Sequence, residues 1–294
     1  MNNWPDILQQ ILKHTGLTPD IRCLKQVSGG CISSSFLIGA DASQVFVKTH
    51  SLESLPMFEA EAVGLKTMAN TNAIIVPEVL CTGTSNDVAF IAMQALGIHH
   101  KASSASFREF GQQLARMHRH QQPFFGSGID NTLGSTPQPN TRTENWFNFW
   151  RKYRLGFQLD LARNNSAPHK LIDDGLLLNE RFEAFFEGPP KAACLHGDLW
   201  QGNWGFTGSG KPVIFDPAHY FGDRETDIAM TALFGEAHPD FYAAYRESYP
   251  LREGYAVRKH FYNLYHVLNH FNLFDGAYAQ QAHNMIKHLL SELS

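Results

Sequence analysis

The densest chemistry in the chain lies in one stretch, Cys194-Leu-His-Gly-Asp-Leu-Trp-Gln-Gly-Asn203, followed by Val213-Ile-Phe-Asp216-Pro-Ala. Asp198 and Asn203 stand five positions apart, and Asp216 closes an apolar run thirteen positions after Asn203. Transfer of a phosphoryl group from a nucleotide to a hydroxyl needs such a set. One carboxylate accepts the hydroxyl proton, while an amide oxygen and a second carboxylate hold Mg2+ against the phosphates. Hard oxygen donors suit that cation. A lone aspartate is commonly a turn or strand-end cap, whereas two behind apolar runs at this spacing form a joint pattern.

The D-x-x-x-x-N spacing with a later strand-end aspartate matches a kinase catalytic loop and its metal-binding aspartate. The first third of the chain supplies the partners such a site requires. Lys48 ends the β-like run VFVKTH. Glu61 falls on the helix face of Phe58, Ala62 and Leu65, while Glu59 points about 200° away from Glu61 at helical pitch. Glu61 is therefore the expected partner of Lys48, and the pair would aim Lys48 at the α- and β-phosphates. Gly29, Gly30 and Cys31 precede the hairpin; the run is not G-x-G-x-x-G, but its backbone N–H groups can line phosphates. Cys31 is either a small residue in a tight turn or a redox-sensitive thiol activated by those N–H groups and Lys48.

The elements that must hold these residues follow from periodicity. Trp4 to His14 reads as an amphipathic helix with Ile7, Leu8, Ile11 and Leu12 as its stripe. SSSFLIGA and QVFVKTH flank a DAS turn as an antiparallel hairpin. SLPMFEAEAVGLKTMA is helical, and β-like runs return at AIIVPEVL and DVAFIAMQAL. The polar stretch 97–106 marks a hinge. Phe107, Phe110, Leu114 and Met117 then share a helix face. Residues 123–143 read as a long loop that shapes a pocket or an interface. Helices resume from Trp146 to about Arg163 and around 171–186, short strands at AACLHGD and KPVIFDP carry the site, and helices follow from 226. The aromatic run Trp146, Phe147, Phe149, Trp150 is core, and Arg151 and Arg154 are structural. The expected class is α+β, with a strand-rich part over 1–96 and a mainly helical part over 97–294.

Composition bounds the function. The chain has 294 residues, a formal net charge of −4 and 43% hydrophobic residues, enough to bury a core. Such a balance argues against a nucleic-acid partner. The four cysteines, Cys23, Cys31, Cys81 and Cys194, form no C-x-x-C pair, disulfide framework or zinc pattern. Without a signal-peptide pattern or a transmembrane run, a cytoplasmic protein with no membrane partner is expected. His266 and His270 lie within H-V-L-N-H, not the H-E-x-x-H of zinc proteases, so a core or pocket role is expected for them.

LHGDLWQGNWGF, FDPAHYFGDRETDIAM, LYHVLNHFNLF, MFEAEAVGLKTMA and IDNTLGSTPQPN resemble the fructosamine kinase (ketosamine 3-kinase) family, from about residue 20 to 280. The resemblance implies a protein-kinase-like fold of two lobes around an ATP cleft. It implies transfer of phosphate from ATP, with Mg2+, to the 3-hydroxyl of a ribulosamine, fructosamine or erythrulosamine. The substrate would be a small-molecule ketosamine or a glycated protein lysine, and the unstable product would shed the sugar and restore the amine. Carried residue by residue, Asp198 is the base, Asn203 and Asp216 are metal ligands, and Lys48 and Glu61 orient phosphates. Met93 to Leu96, with Gln94, is the hinge receiving adenine. His196 and Asp227 support the loop, and Trp200 and His270 meet the substrate. The loop reads His-Gly-Asp, without the arginine that reads an activation-loop phosphate, and Pro217 stands where DFG has Phe. Aminoglycoside- or choline-type phosphotransfer and a non-catalytic pseudokinase are the alternatives. A monomer or homodimer is compatible with the sequence.

Overall fold

A computed structural model describes residues 3–27 and 33–293. The first lobe begins with helix α1 (Trp4–Thr15). Strands β1 (Lys25–Val27), β2 (Ser34–Ile38) and β3 (Val45–Ser51) follow, then helix α2 (Leu55–Ala69) and strands β4 (Val79–Ser85) and β5 (Val88–Gln94). The strands form one antiparallel sheet in the order β1-β2-β3-β5-β4. Side chains alternate across a strand, and here each face has its own helix. Val45, Val47, Phe90 and Ala92 pack with Ile7 and Ile11 of α1. Ala89, Ile91 and Met93 pack with Phe58, Leu65 and Met68 of α2. Lys48, one position past Val47, is thereby turned toward α2.

The expected strand at 73–80 is displaced. Pro77 interrupts the run, β4 starts two residues later, and Ile75 makes only an isolated bridge to Val213. A proline lacks the N–H that an inner strand must donate. Leu12 is the other departure, 43% exposed although it was placed in the α1 stripe.

The second lobe is mainly helical. It contains α3 (Ser104–Met117), β6 (Gln121–Gln122), β7 (Asn131–Leu133), β8 (Thr136–Gln138), α4 (Trp146–Trp150), α5 (Gly156–Asn164) and α6 (His169–Arg181). β9 (Ala192–Cys194), β10 (Trp204–Phe206), β11 (Pro212–Ile214) and β12 (Phe221–Gly222) carry the chemistry-bearing loops. The chain ends in α7 (Glu225–Met230), α8 (Pro239–Ser248), α9 (Tyr255–Phe274) and α10 (Ala277–Ser291). The polar stretch after β5 is shorter than expected, because Ser103 caps α3 by accepting from Ser106 N at 3.2 Å. Two bridges tie it and the β4 approach to the second lobe, His99 to Phe206 and Ile75 to Val213.

The segment 123–143 is built rather than loose. It holds the β7–β8 hairpin, whose Leu133, Thr136 and Gln138 are buried. Trp146, Phe149 and Trp150 are core, as their composition implied. Between α4 and α5 the helix widens into a π-helical turn, Arg151–Leu155. Gly156 permits this, since a Cβ there would stand 2.2 Å from Arg151 O. Arg154, on that turn, is fully buried. No helix among the described residues is long and apolar enough to cross a membrane.

Candidate active site

Lys48 reaches Glu61 Oε1 of α2 at 2.7 Å and also donates to Asp216 Oδ1. Glu59, by contrast, is exposed. Burial works against the ammonium charge, but the adjacent carboxylates of Asp216 and Glu61 outweigh it and hold Lys48 above the usual lysine range. Burial, together with the Asp216 charge, lifts Glu61 above the usual carboxylate range despite Lys48. Asp216 follows β11 with φ 57°, in the left-handed region. Aspartate tolerates the left-handed region better than most residues, whereas a following proline by itself favours extended backbone. Such a conformation costs about 1–3 kcal/mol and persists where the surroundings over-determine it.

The loop after β9 is fixed from below. Asp227 of α7, 1% exposed, accepts from His196 N at 2.7 Å and Gly197 N at 2.9 Å. His118 Nε2 lies 3.1 Å from the same carboxylate, and its Nδ1 lies 2.7 Å from Tyr245 OH. Burial disfavours the Asp227 charge, but the hydrogen bond from His118 and those from the loop overcome it and keep the pKa low. Burial keeps both His118 and His196 neutral, lowering their pKa values. His196 then donates Nε2–H to Phe215 O at 2.8 Å and accepts from Asp198 N at Nδ1, 3.2 Å away. One imidazole thus joins the backbones on either side of Asp198 and Asp216. Gly197 has φ 86°, and a Cβ there would stand 2.0 Å from Ala218 O.

Asn203 donates Nδ2 to Asp198 Oδ2 at 3.1 Å, Asp198 O at 2.9 Å and Asp216 O at 3.3 Å. All these partners are acceptors, so the amide must turn its NH2 toward them. Its oxygen is left for a cation. With the Asp216 carboxylate this makes a pair of hard oxygen donors, a donor set that fits Mg2+ completed by phosphate oxygens and water. Burial pushes Asp198 up to about 7, with the Asp216 charge adding to it.

These residues line a cavity of about 590 Å3. One wall is the β7–β8 hairpin, from Asn131 to Ser135. It is tied to the segment after Asp216 by Asn131 Nδ2 to His219 O at 2.9 Å and Gln138 Nε2 to Ala218 O at 3.1 Å. Asn269 of α9 donates to Leu133 O at 3.3 Å, and Arg154 Nη2 donates to Asn140 Oδ1 at 2.6 Å. Arg154 has no carboxylate within ion-pair distance among the described residues; it stacks on Tyr220 (4.0 Å to the centroid) and Phe149 (4.5 Å). The far wall carries Trp200 and His270, joined by Phe234, His266, Phe274 and Tyr278.

The family model for fructosamine kinase matches residues 3–292. The chain belongs to the fructosamine kinase family. It is 41% identical over 288 residues to a probable ketoamine kinase of Synechocystis, covering 98% of this chain and 97% of that one. It is 39% identical over 292 residues to the chloroplastic protein-ribulosamine 3-kinase of japonica rice, covering 98% and 84%. The crystal structure of a protein described as a fructosamine-3-kinase from Haemophilus somnus 129PT superposes with a TM-score of 0.89 at 32% identity, covering 98% and 97%. A spectinomycin phosphotransferase solved with ADP and spectinomycin shares the fold alone, with a TM-score of 0.57 at 13% identity, covering 98% and 93%. The α+β, kinase-like architecture expected from the sequence is therefore the observed one.

Within this fructosamine kinase fold, Lys48, Glu61, Asp198, Asn203, Asp216, Trp200 and His270 share one cavity, with His196 and Asp227 beneath it. Gln94 and Leu96 do not line that cavity, and the Gln94 amide is spent on Glu78 O at 2.8 Å. Gln94 N–H therefore has a protein partner already. Gly29, Gly30 and Cys31 lie outside the described residues. Sequence reasoning left the 123–143 segment between a pocket and an interface and missed its hairpin, and it missed His118, Phe234, Phe274 and Tyr278. Only His118 left a signal, a histidine continuing the buried face of α3 four residues after Leu114.

Proposed function

We propose that the chain is an ATP- and Mg2+-dependent kinase that phosphorylates the 3-hydroxyl of ketosamines, the adducts of ribulose, fructose or erythrulose with amines. The observation that carries this reading is Asp198, tethered by Asn203 and lining the same cavity as the Lys48–Glu61–Asp216 cluster. Its carboxylate is placed to take the proton of an acceptor hydroxyl. A general base of pKa near the working pH serves that role well, and the burial that lifts Asp198 to about 7 provides it. Bound Mg·ATP supplies the transferable phosphoryl group and the charge that offsets its oxygens. Lys48 orients phosphates, Asn203 and Asp216 hold the cation, and Asp227 with His196 keeps the loop from yielding. Phosphate at C3 stands beside the C2 carbonyl, so enolisation with loss of a C1 proton expels inorganic phosphate from C3, and water then hydrolyses the C1 imine to return the amine and a 3-deoxy dicarbonyl.

The acceptor side also separates this reading from aminoglycoside phosphotransfer. Among the described residues, the carboxylates lining the cavity are Glu61, Asp198 and Asp216, and each is engaged by Lys48 or Asn203. None is left to pair with a polycationic substrate. The test is coupled ATP consumption with ribulosamine, fructosamine, an aminoglycoside and choline. Turnover of ketosamines is expected; turnover of kanamycin or choline without any ketosamine would overturn the reading.

A further inference from the structure

Two residues outside the cavity meet where the first lobe rests on the second. Gly64 lies on α2 three positions after Glu61 and so shares its helix face. His219 lies between β11 and β12, three positions after Asp216. A Cβ on Gly64 would stand 2.9 Å from His219 Cβ and 3.4 Å from Pro217 Cγ. Carbon atoms pack best at about 3.5–4.0 Å, so a glycine is what lets α2 come down this far. Neither Gly64 nor His219 lines the cavity, so any influence on a ligand there is indirect.

His219 is tied to two further parts of the site. Its Nδ1 lies 2.7 Å from Leu195 O; a carbonyl only accepts, so Nδ1 carries the hydrogen. Leu195 immediately precedes His196 and the catalytic loop. His219 O accepts from Asn131 Nδ2 at 2.9 Å, a bond that holds the hairpin wall. The ring stands edge-on to Phe221, 5.1 Å between centroids, and the residue is 4% exposed. Nε2 is buried with no hydrogen-bond partner among the described residues. Burial keeps the ring neutral, lowering its pKa to about 4. A buried lone pair without a donor is unfavourable and calls for a reason. What the ring supplies is the Nδ1 bond and a floor under α2. Two other ties lie to either side: Lys48 joins Glu61 to Asp216, and Ile214 N donates to Ile75 O at 3.1 Å, beyond the end of α2.

We propose that His219 is a positioning residue for phosphoryl transfer: seated against Gly64, it sets the height of α2 above the catalytic loop, so that Glu61, the loop and the hairpin wall take their places together. The assignment rests on the kinase reading above but not on which acceptor is phosphorylated. Relieving a 2.9 Å Cβ contact to the usual ~3.5 Å needs a shift of about 0.6 Å. Lifting α2 by that much draws Glu61 Oε1 away from Lys48 Nζ, 2.7 Å distant in the native fold. Lys48 then leans on Asp216 alone, and the alignment of both groups toward a bound nucleotide is lost.

The test compares Gly64→Ala, His219→Leu and His219→Asn with wild type. Turnover is read by coupled ATP consumption with whichever acceptor the wild type phosphorylates, and Mg·ATP binding by calorimetry. Urea midpoints fix conditions in which each variant is folded. Gly64→Ala puts the better helix former into α2. It should nevertheless raise the Kd for Mg·ATP about 5-fold and lower kcat about 10-fold, part of the ~10²-fold that a 1 Å misplacement brings. His219→Leu fills the space but cannot donate to Leu195 O, and its kcat should fall about 10-fold. His219→Asn places an NH2 where Nδ1 stood and should recover most of that loss. A folded Gly64→Ala enzyme with unchanged Kd and kcat, whatever its urea midpoint, would reduce the contact to core packing and overturn the positioning role. So would His219→Asn no more active than His219→Leu. Binding needs no acceptor, so a wild type that binds Mg·ATP but phosphorylates nothing would overturn the kinase reading and leave the calorimetric arm in force. A wild type that does not bind Mg·ATP would overturn both.

Discussion

Replacing Asp227 by asparagine tests how the catalytic loop is held. The native carboxylate accepts from two backbone amides, at 2.7 and 2.9 Å, and from His118 at 3.1 Å, in a site 1% exposed. Asparagine offers one oxygen; its NH2 would face one of the amide donors. At least one charge-assisted bond is lost, about 1.5–3 kcal/mol, and one buried N–H goes unpaired, about 1–3 kcal/mol. Relief from burying a charge returns part of this, so Asp227→Asn should destabilise by about 2–4 kcal/mol. The displaced amides belong to His196 and Gly197, next to Asp198, and kcat should fall by about 10²-fold, the usual effect of a small misplacement. The pH dependence has a definite sign. The folded pKa of Asp227 is depressed, so its contribution is present above the ordinary value of 3.8 and is lost as pH falls through the folded value. Urea unfolding followed by tryptophan fluorescence should show a gap between wild type and variant that is flat from about pH 8 to 5 and closes only below about 4. A variant within about 0.5 kcal/mol of wild type, or a gap that shrinks steadily from neutral pH, would refute this account of the loop.

Asp198→Asn should lower kcat by about 10²- to 10⁴-fold, the usual contribution of a general base, without shifting the urea midpoint downward; unaltered turnover would remove Asp198 from the chemistry. Asp216→Ala should abolish Mg2+-dependent ATP binding measured by calorimetry, and EDTA should do the same to the wild type. His266, pushed by burial to about 3 in the fold, stays neutral where the unfolded chain protonates, so its contribution is present above about 6.5 and lost as pH falls toward 3. Wild type should therefore lose about 1.4 kcal/mol between pH 7.5 and 5.5 relative to His266→Gln, read from paired unfolding curves.

What the sequence discloses and what it hides divide along the range of the interactions. Glu61 was legible because helical pitch alone puts it on the face of Phe58 and Leu65 and turns Glu59 to solvent. Lys48 was legible because it closes an apolar strand, and the alternation after Val47 sends it toward α2. The second contact of Lys48, to Asp216, spans 168 positions and has no local signature. The hairpin in 123–143 was read as a loop because its strands are three residues each, too short for alternation to register, and contain Pro137. Its order comes from Ala218, His219 and Asn269, all supplied by distant segments. His118 carries no local sign that its partner is Asp227, 109 positions on. The aromatic wall needs the chain to turn between α9 and α10 at Asp275-Gly276, where both residues take positive φ.

The mild acidity of the whole chain and the acidity of its cleft are different constraints. Around the candidate site three carboxylates, Glu61, Asp198 and Asp216, face one ammonium, that of Lys48. Burial makes this imbalance costly, and the fold meets the cost by lifting Asp198 and Glu61 above their usual pKa values. A nucleotide polyphosphate would add negative charge to a cleft already short of positive charge. A divalent ion on Asn203 and Asp216 relieves both strains together: it offsets the phosphates, and it screens Asp216 from Asp198, favouring the ionised base. On the proposed reading, the groups that make the cleft repel free nucleotide would couple the arrival of metal, phosphate and an ionised base. That coupling explains why Lys48 is buried between Glu61 and Asp216 rather than displayed. It links the Asp216 carboxylate to the helix of the first lobe, so that placing Asp216 also places the sheet above it.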